Sequence, residues 1–431
     1  MEKIQHISVL KKLGYHTDAY LVGGTVRDMV IGKEPTDIDI TVHSDPEKFA
    51  RTLSKKINGT LFLLDKERGV FRVVFRDKSQ PLYFDISLMR GEDIYADLSL
   101  RDFTVDAMAI RLADDAASII DPYNGQADIA KKSIRTLSQK SFEDDPLRLL
   151  RAFRLAGTLE FEIDILTFHI IKEMSSTLRR AAKERIRDEF FSLLSSPTSI
   201  KYLRQMDEAG LLSEVLAIPK ESDTERDMIV FERLECLYNT LPTLFQPVDV
   251  DIGNYLQGKI ENEITNAALW KWISLFIPDH ITKELTNIGS RDLRLSNKAC
   301  RLIHLAVEYI QPSLVDKGIE DKRSIYRFFK AAGNNGIGLI LCQIASLSGV
   351  TDWHDRTIKN GKDVVAWYLQ EYKKMKDFPL ITGDDLIVLF NTTPGPMFGY
   401  LLDTVEENRA MGYITTKNDA VVLIKKLLTN V

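Results

Sequence analysis

The sequence predicts an α+β chain in which a mixed α/β head with a small β-sheet precedes a long, all-helical remainder. Three observations carry that prediction. Up to about residue 137, short strand-like runs alternate with turn residues. Beyond it, apolar residues recur at helical spacing and convincing strands all but vanish. The chain has 431 residues, 44% apolar and 28% charged, an ordinary globular mix with enough length for about three domains.

The elements follow in order. Tyr20-Leu21-Val22 is a short apolar run stopped by Gly23-Gly24, and Val26 to Ile31 continues as a helix. Asp37 to Val42 alternates with period two, as a strand does. Pro46 to Lys56 reads as a helix. Leu61 to Leu64, Phe71 to Phe75, Leu82 to Leu88 and Ala107 to Leu112 read as strands. Asp121-Pro122-Tyr123-Asn124-Gly125 is a strong turn that marks the approach to a domain boundary. Asp145 to Leu155 reads as a helix with Pro146 in its first turn. Ile163 to Met174 and Lys183 to Leu194 are amphipathic helices, and Pro379 to Gly383 opens a last helical segment. No repeat or low-complexity tract is visible.

Composition excludes several classes. A net charge of -5 excludes a uniformly basic coat but leaves room for a local basic face. Residues 131–187 supply one, with 13 Lys+Arg against 8 Asp+Glu; a solvated helix face explains it equally well. The three cysteines, Cys236, Cys300 and Cys342, are far apart. They form neither a disulfide scaffold nor a zinc site and suit a reducing compartment. The N-terminus has no apolar signal core. The longest uncharged stretch, Ala331 to Thr351, reads as a loop plus a core helix rather than a membrane span. A cytoplasmic location is therefore expected. The scattered histidines (6, 16, 43, 169, 280, 304, 354) form no metal site. The dipeptides His354-Asp355 and Asp279-His280 are too isolated to suggest a phosphohydrolase. Trp270 and Trp272 read as core, and Lys373, Lys374 and Lys376 as a solvated helix end.

The chemistry starts at Asp37 and Asp39. Two positions apart on a strand, both carboxylates project from one face. Such a pair suits divalent cations that clamp an in-line phosphoryl displacement. Alone, it describes a solvent-facing strand as well. Before it stands Val22-Gly23-Gly24-Thr25-Val26-Arg27-Asp28, a strand, a glycine turn and a helix start. Glycines admit a phosphate to backbone N–H groups, the helix N-terminus favours an anion, and Arg27 adds a guanidinium fork. Together these residues form a triphosphate cradle beside a metal site.

This combination resembles the DNA polymerase β nucleotidyltransferase superfamily. In the form GGTVRD…DIDI it looks specifically like class II tRNA nucleotidyltransferases and bacterial poly(A) polymerases. Arg101-Asp102-Phe103-Thr104-Val105-Asp106-Ala107 is similar to the family's RRDFTxNA motif. Asp121 to Gly125 with Asp128 looks like DPxxGxxD. Asp144-Asp145-Pro146-Leu147-Arg148 with Arg151 and Arg154 is similar to the EDxxRxxR base-selection helix. Glu184 to Glu189 resembles the motif that follows, and Gly383-Asp384-Asp385-Leu386 with Pro394-Gly395-Pro396 the C-terminal tail. Two residues depart from the pattern: Asp106 stands for the usual Asn and Asp144 for the usual Glu.

The resemblance implies a nucleotidyltransferase head over 1–137, neck helices over 138–200, a helical body over 201–350 and a tRNA-binding tail over 351–431. It implies template-independent addition of C and/or A residues to a tRNA 3′ end from CTP and ATP, with two Mg²⁺ ions on Asp37 and Asp39. Gly23, Gly24, Arg27, Arg101 and Asp106 would contact the nucleotide. Asp145, Arg148, Arg151 and Arg154 stand three residues apart along one helix and would bind the nucleotide; Asp145 and Arg148 would read its base by donor and acceptor pattern, and an ion-pair network on the helix surface is the alternative. Asp85 either joins the catalytic carboxylates or is an ordinary strand aspartate. Body and tail would grip the acceptor and T arms of the tRNA by shape. The 15 residues between Asp85 and Arg101 make a shorter segment than CCA-adding relatives carry there, which favours CC addition. Poly(A) synthesis, A addition and a catalytically degenerate RNA-binding relative are the alternatives. Monomer and homodimer both stay open.

Overall fold

The computed structural model describes residues 7–35, 37–76, 81–114, 118–216, 228–277, 288–310, 314–347 and 355–429. His6, Asp279-His280, His354 and the end of the uncharged stretch lie outside them. The chain divides into two units, residues 1–193 with 202–220, and residues 194–201 with 221–431.

The first unit is built on a seven-stranded sheet of order β3-β4-β5-β2-β1-β6-β7. Its strands are β1 (Ala19–Val22), β2 (Asp37–Val42), β3 (Thr60–Asp65), β4 (Val70–Arg76), β5 (Pro81–Leu88), β6 (Ala109–Arg111) and β7 (Ile119–Ile120). β2 and β5 run parallel, and the other neighbours are antiparallel. Alternation decides the faces. Ile38, Ile40, Val73, Phe84 and Ile86 are buried, and helix α3 (Pro46–Ile57) packs on β4 and β5. Asp37, Asp39, Tyr83, Asp85 and Arg72 occupy the opposite face, in register across β2, β5 and β4. At the free edge of the sheet, β3 pairs with β4, with a bulge between Leu63 and Asp65.

Local chemistry sets the helix ends. In α3, the Asp45 side chain caps the first turn by accepting from the Lys48 N–H, and Pro46 takes the first helical position, where its missing donor is harmless. Helix α1 (Ile7–Thr17) precedes the sheet, and α2 (Gly24–Ile31) springs from the end of β1. Helix α4 (Ile94–Ser99) fills the short segment before Arg101. The expected turn at Asp121 is closed by its carboxylate, which accepts from the N–H groups of Gly125 and Gln126; α5 (Gly125–Ala130) starts there. A Cβ at Gly125 would stand 2.3 Å from the Thr104 carbonyl oxygen, so only glycine fits.

Two sequence expectations need correction. The helix expected from Asp145 starts at Leu147 and runs to Leu159 (α7), after α6 (Gln139–Asp144) has ended. Asp145 is extended, with φ -145° and ψ 97°, because a residue before proline is pushed out of the α region. Asp145 therefore stands ahead of the arginine stripe, not on it. Helix α8 begins at Ile165, with Asp164 as its cap. Ile163 instead belongs to β9 (Glu162–Ile163), paired with β8 (Ser133–Ile134). Helix α9 occupies Lys183–Leu194 as expected.

Among its described residues, the second unit is helical apart from a two-stranded hairpin, Lys259–Glu261 with Ile264–Thr265, too short to carry a strand pattern in sequence. Trp270 and Trp272 are fully buried, and the helix Gly336–Leu347 is buried almost throughout. Lys373, Lys374 and Lys376 are exposed. The last helices, Gly383–Phe390, Pro396–Ala410 and Lys417–Thr429, enclose a separate core of Leu386, Leu401, Val405, Ala420 and Ile424. Among the described residues, no helix is long and apolar enough to cross a membrane.

One charged pair lies inside this unit. The buried Lys271 ammonium donates to Glu235 at 2.8 Å and to the Ser196 carbonyl at 2.8 Å. Glu235 in turn accepts from the N–H groups of Ser199 and Ile200, so it caps the helix Ser199–Glu208 from a distance. Burial lowers the Lys271 pKa, and Glu235 opposes the shift. Glu235→Ala should destabilise this unit by about 3–5 kcal/mol, since it strands a buried ammonium. The double change Glu235→Leu, Lys271→Met should cost less. Urea unfolding followed by tryptophan emission checks both, and equal losses for the two variants would refute the account.

Candidate active site

The β1–α2 turn is dictated by one residue. Gly23 has φ 63° and ψ -135°, a conformation close to the region reserved for glycine. A Cβ there would stand 3.1 Å from an Arg101 guanidinium nitrogen and 3.5 Å from Asp39 Oδ2. The turn thus brings the first N–H groups of α2 beside Asp39. Thr25 ties turn to strand: its hydroxyl accepts from the Asp39 N–H at 2.7 Å.

Carboxylates crowd the open sheet face, and arginines answer most of them. Asp85 receives Arg72 through two hydrogen bonds of 2.6 Å, and Arg72 lies over the Tyr83 ring. Asp106, buried, accepts from Arg27 at 2.7 Å, and Arg27 also donates to Asp28. Among the described residues, Asp39 has no ion pair. Burial first, and then Asp85, Asp106 and Asp37, push its pKa up to about 6 against the pull of Arg101. A group of three or more metal-ligating side chains is absent among the described residues. Asp37 and Asp39 present carboxylate oxygens on this face, the donor type that a hard divalent cation prefers.

This face forms one wall of an open cleft of about 870 Å³, which Asp39, Asp85, Arg101, Asp145, Arg148 and Arg151 line, within the usual size range of ligand sites. Arg101 is held by buried Asp97 at 3.0 Å. Arg148 donates to the Ser141 hydroxyl at 2.8 Å and the Leu100 carbonyl at 3.2 Å, which fixes its fork at the mouth of α7. Asp145 accepts from Arg185 at 2.8 Å. Against the upward push of partial burial, Arg185 holds Asp145 below the usual carboxylate range. Arg151 pairs with Asp102 at 2.9 Å. Arg154, outside the cleft lining, pairs with Glu189. Three of the four positions, Asp145, Arg148 and Arg151, share the cleft lining, and Arg154 lies outside it.

Sequence reading missed Arg90 and Asp97. Both line the cleft, and Asp97 accepts from the Arg90 N–H as well as from Arg101. Burial and the neighbouring Arg101 and Arg148 guanidiniums lower the Arg90 pKa while Asp97 opposes. This corner is crowded with positive charge and suited to an anion. The spacing Asp97-x-x-x-Arg101, from α4 to just past its end, was the available signal, an (i, i+4) pair.

A glycine-turned helix start, a two-aspartate strand and a guanidinium-lined cleft thus stand together in the first unit. The comparisons agree. A family model described as the poly A polymerase head domain matches residues 19–135. One described as the probable RNA and SrmB-binding site of polymerase A matches residues 160–221. A CC-adding tRNA nucleotidyltransferase of Geobacter sulfurreducens is 31% identical, over 95% of this chain and 92% of its own. A CCA-adding enzyme of Ligilactobacillus salivarius is 28% identical, over 95% and 93%. A solved CCA-adding enzyme in complex with CTP superposes with a TM-score of 0.72 at 22% identity, covering 99% of this chain and 97% of that one, which attests the fold. The chain belongs to the tRNA nucleotidyltransferase and poly(A) polymerase family, and it is a nucleotidyltransferase.

Gly23→Ala should lower nucleotide incorporation at least tenfold while costing only about 1–3 kcal/mol of stability. Radiolabel incorporation and thermal melting, measured side by side, check this. Unchanged incorporation would show that the turn is not part of the site.

Proposed function

We propose that this protein is a CC-adding tRNA nucleotidyltransferase, transferring CMP from CTP to the 3′ end of tRNA without a template. The observation that carries the reading is the cleft, which Asp39, Asp145 and Arg148 line together, with Asp37 on the same sheet face and the Gly23 turn beside Asp39. Asp37 and Asp39 would hold divalent cations, two Mg²⁺ in our reading, which supply Lewis-acid activation of the attacking hydroxyl and neutralise the phosphates. The N–H groups of Gly24 and its neighbours, with Arg101, bind the triphosphate. Arg27, braced by Asp28 and Asp106, orients the α2 start. Asp145 accepts from the cytosine amino group, and Arg148 donates to its carbonyl and ring nitrogen. Asp85, occupied by Arg72, shapes the face rather than taking the proton.

The choice of CC over CCA addition rests on the short segment before Arg101. Its 15 residues are taken up by the end of β5, a turn and α4, whose Asp97 is committed to Arg101. That leaves little chain to re-form the pocket for ATP. The relative with 31% identity is also named CC-adding. We assign the head to 1–137, the neck to 138–200, the body to 201–350 and the tail to 351–431. Body and tail would hold the acceptor and T arms, in the cytoplasm where tRNA matures.

Incorporation of labelled CTP and ATP into tRNA transcripts ending before CCA, after C and after CC tests the activity. Two C residues and then arrest are expected. Completion to CCA would overturn the CC reading, as would A addition alone. The double variant Asp37→Ala, Asp39→Ala should lose all incorporation yet still bind tRNA; retained incorporation would overturn the site assignment. Binding should weaken linearly on a log–log plot against salt, with a slope of about -0.7 to -0.9 per phosphate contacted. Filter binding across a salt series measures it, and a flat line would exclude phosphate gripping.

A further inference from the structure

The sheet face that carries Asp39 continues past the cleft to an exposed aromatic ring. Asp39 pairs with Asp85 on β5, Asp85 with Arg72 on β4, and Arg72 with Phe62 on β3. Residues directly opposite each other project on the same side, so these four form one row. Phe62 ends it at the free sheet edge, 51% exposed. Three inter-strand steps place it about 14 Å from Asp39.

In-line transfer tells which substrate crosses that row. The attacking and leaving oxygens lie on opposite sides of the phosphorus. With the triphosphate at the Gly23–Gly24 turn, pyrophosphate departs on the β1 side of β2. The attacking hydroxyl must then approach from the other side, over β5, β4 and β3. On that path, the carboxylate of Asp85 is already covered by Arg72, which removes a negative charge that would repel RNA phosphates. The return strand of the β3–β4 hairpin also forms part of the cleft wall, through Arg68 and Val70. The path is continuous with the site and ends on an exposed aromatic face. The Arg72 guanidinium is turned to Asp85 and the Tyr83 ring, so the exposed Phe62 ring keeps a free face, and an exposed aromatic face is what holds single-stranded nucleic acid by base stacking.

We infer that Phe62 is a stacking platform for the single-stranded 3′ end of the RNA substrate, holding a base just upstream of the attacking hydroxyl. The inference rests on the nucleotidyl-transfer reading above and adds the track that the acceptor strand follows. It makes Phe62 a positioning residue: it aligns the strand and touches neither metal nor nucleotide triphosphate.

Phe62→Ala should raise KM for a tRNA transcript ending before CCA by about fivefold to a hundredfold, with KM for CTP unchanged. Phe62→Tyr should restore it, which a loss of folding would not allow. A Phe62→Trp variant adds a binding readout that needs no catalysis. Its extra emission, over the four native tryptophans, should be quenched by that transcript and not by a blunt-ended RNA hairpin. An unchanged KM for tRNA in Phe62→Ala, or an unquenched Phe62→Trp saturated with transcript, would overturn the platform even with incorporation intact. If the parent protein incorporates nothing but the Phe62→Trp signal is quenched, the platform stands and the activity reading fails. A dimer that dissociates in Phe62→Ala, seen by light scattering, would reassign the edge to a contact between copies and overturn the proposal.

Discussion

Placing aspartates at alternate positions of β2 obliges the protein to gather like charges on one face of one sheet, and the surrounding structure answers that repulsion. Arg72 covers Asp85, Arg27 covers Asp106, and Arg151 covers Asp102. Each cation comes from a different element, so the charge problem on β2 ties together β4, α2 and α7. Asp39 alone of these carboxylates has no ion pair among the described residues, and burial, with the nearby carboxylates of Asp85, Asp106 and Asp37, makes it harder to ionise. The price is a face whose geometry depends on several long side chains held at once.

A second constraint acts through the backbone. The Gly23 conformation turns the chain so sharply that α2 begins beside Asp39. Thr25 then fixes the helix to β2 by one hydroxyl. Arg101 reaches the same place from just beyond α4, where buried Asp97 of that helix holds it. Three separate stretches of sequence thus meet within a few residues of one another in space. Buried and partly buried ion pairs hold these groups in place, the condition for an electrostatically preorganised site.

The parts legible in the sequence are those governed by local rules. Period-two alternation located β2, and helical periodicity located α3 and α9. The Gly23-Gly24 turn and the Asp37–Asp39 pair announced the chemistry because each needs only neighbouring residues to be recognised. The Asp145 error was avoidable, since Pro146 excludes its predecessor from a helix. The pairings of Arg72 with Asp85 and of Lys271 with Glu235 were not legible. They depend on strand register and on helix packing across 13 and 36 residues, which no periodicity encodes. The short strands β7 to β9 escaped for a related reason: two residues cannot display an alternation.

The bulge in β3 bears on how this protein behaves at high concentration. Phe62, Leu63 and Leu64 are consecutive and each about half exposed, on a strand whose outer side is free. A flat edge with that composition would invite another chain to add to it, the route by which many sheet proteins precipitate. The register shift after Leu63 interrupts the ladder and increases local twist. A neighbouring strand therefore finds no regular row of donors and acceptors to copy. The molecule can present apolar side chains at this rim and still resist fibrillar growth.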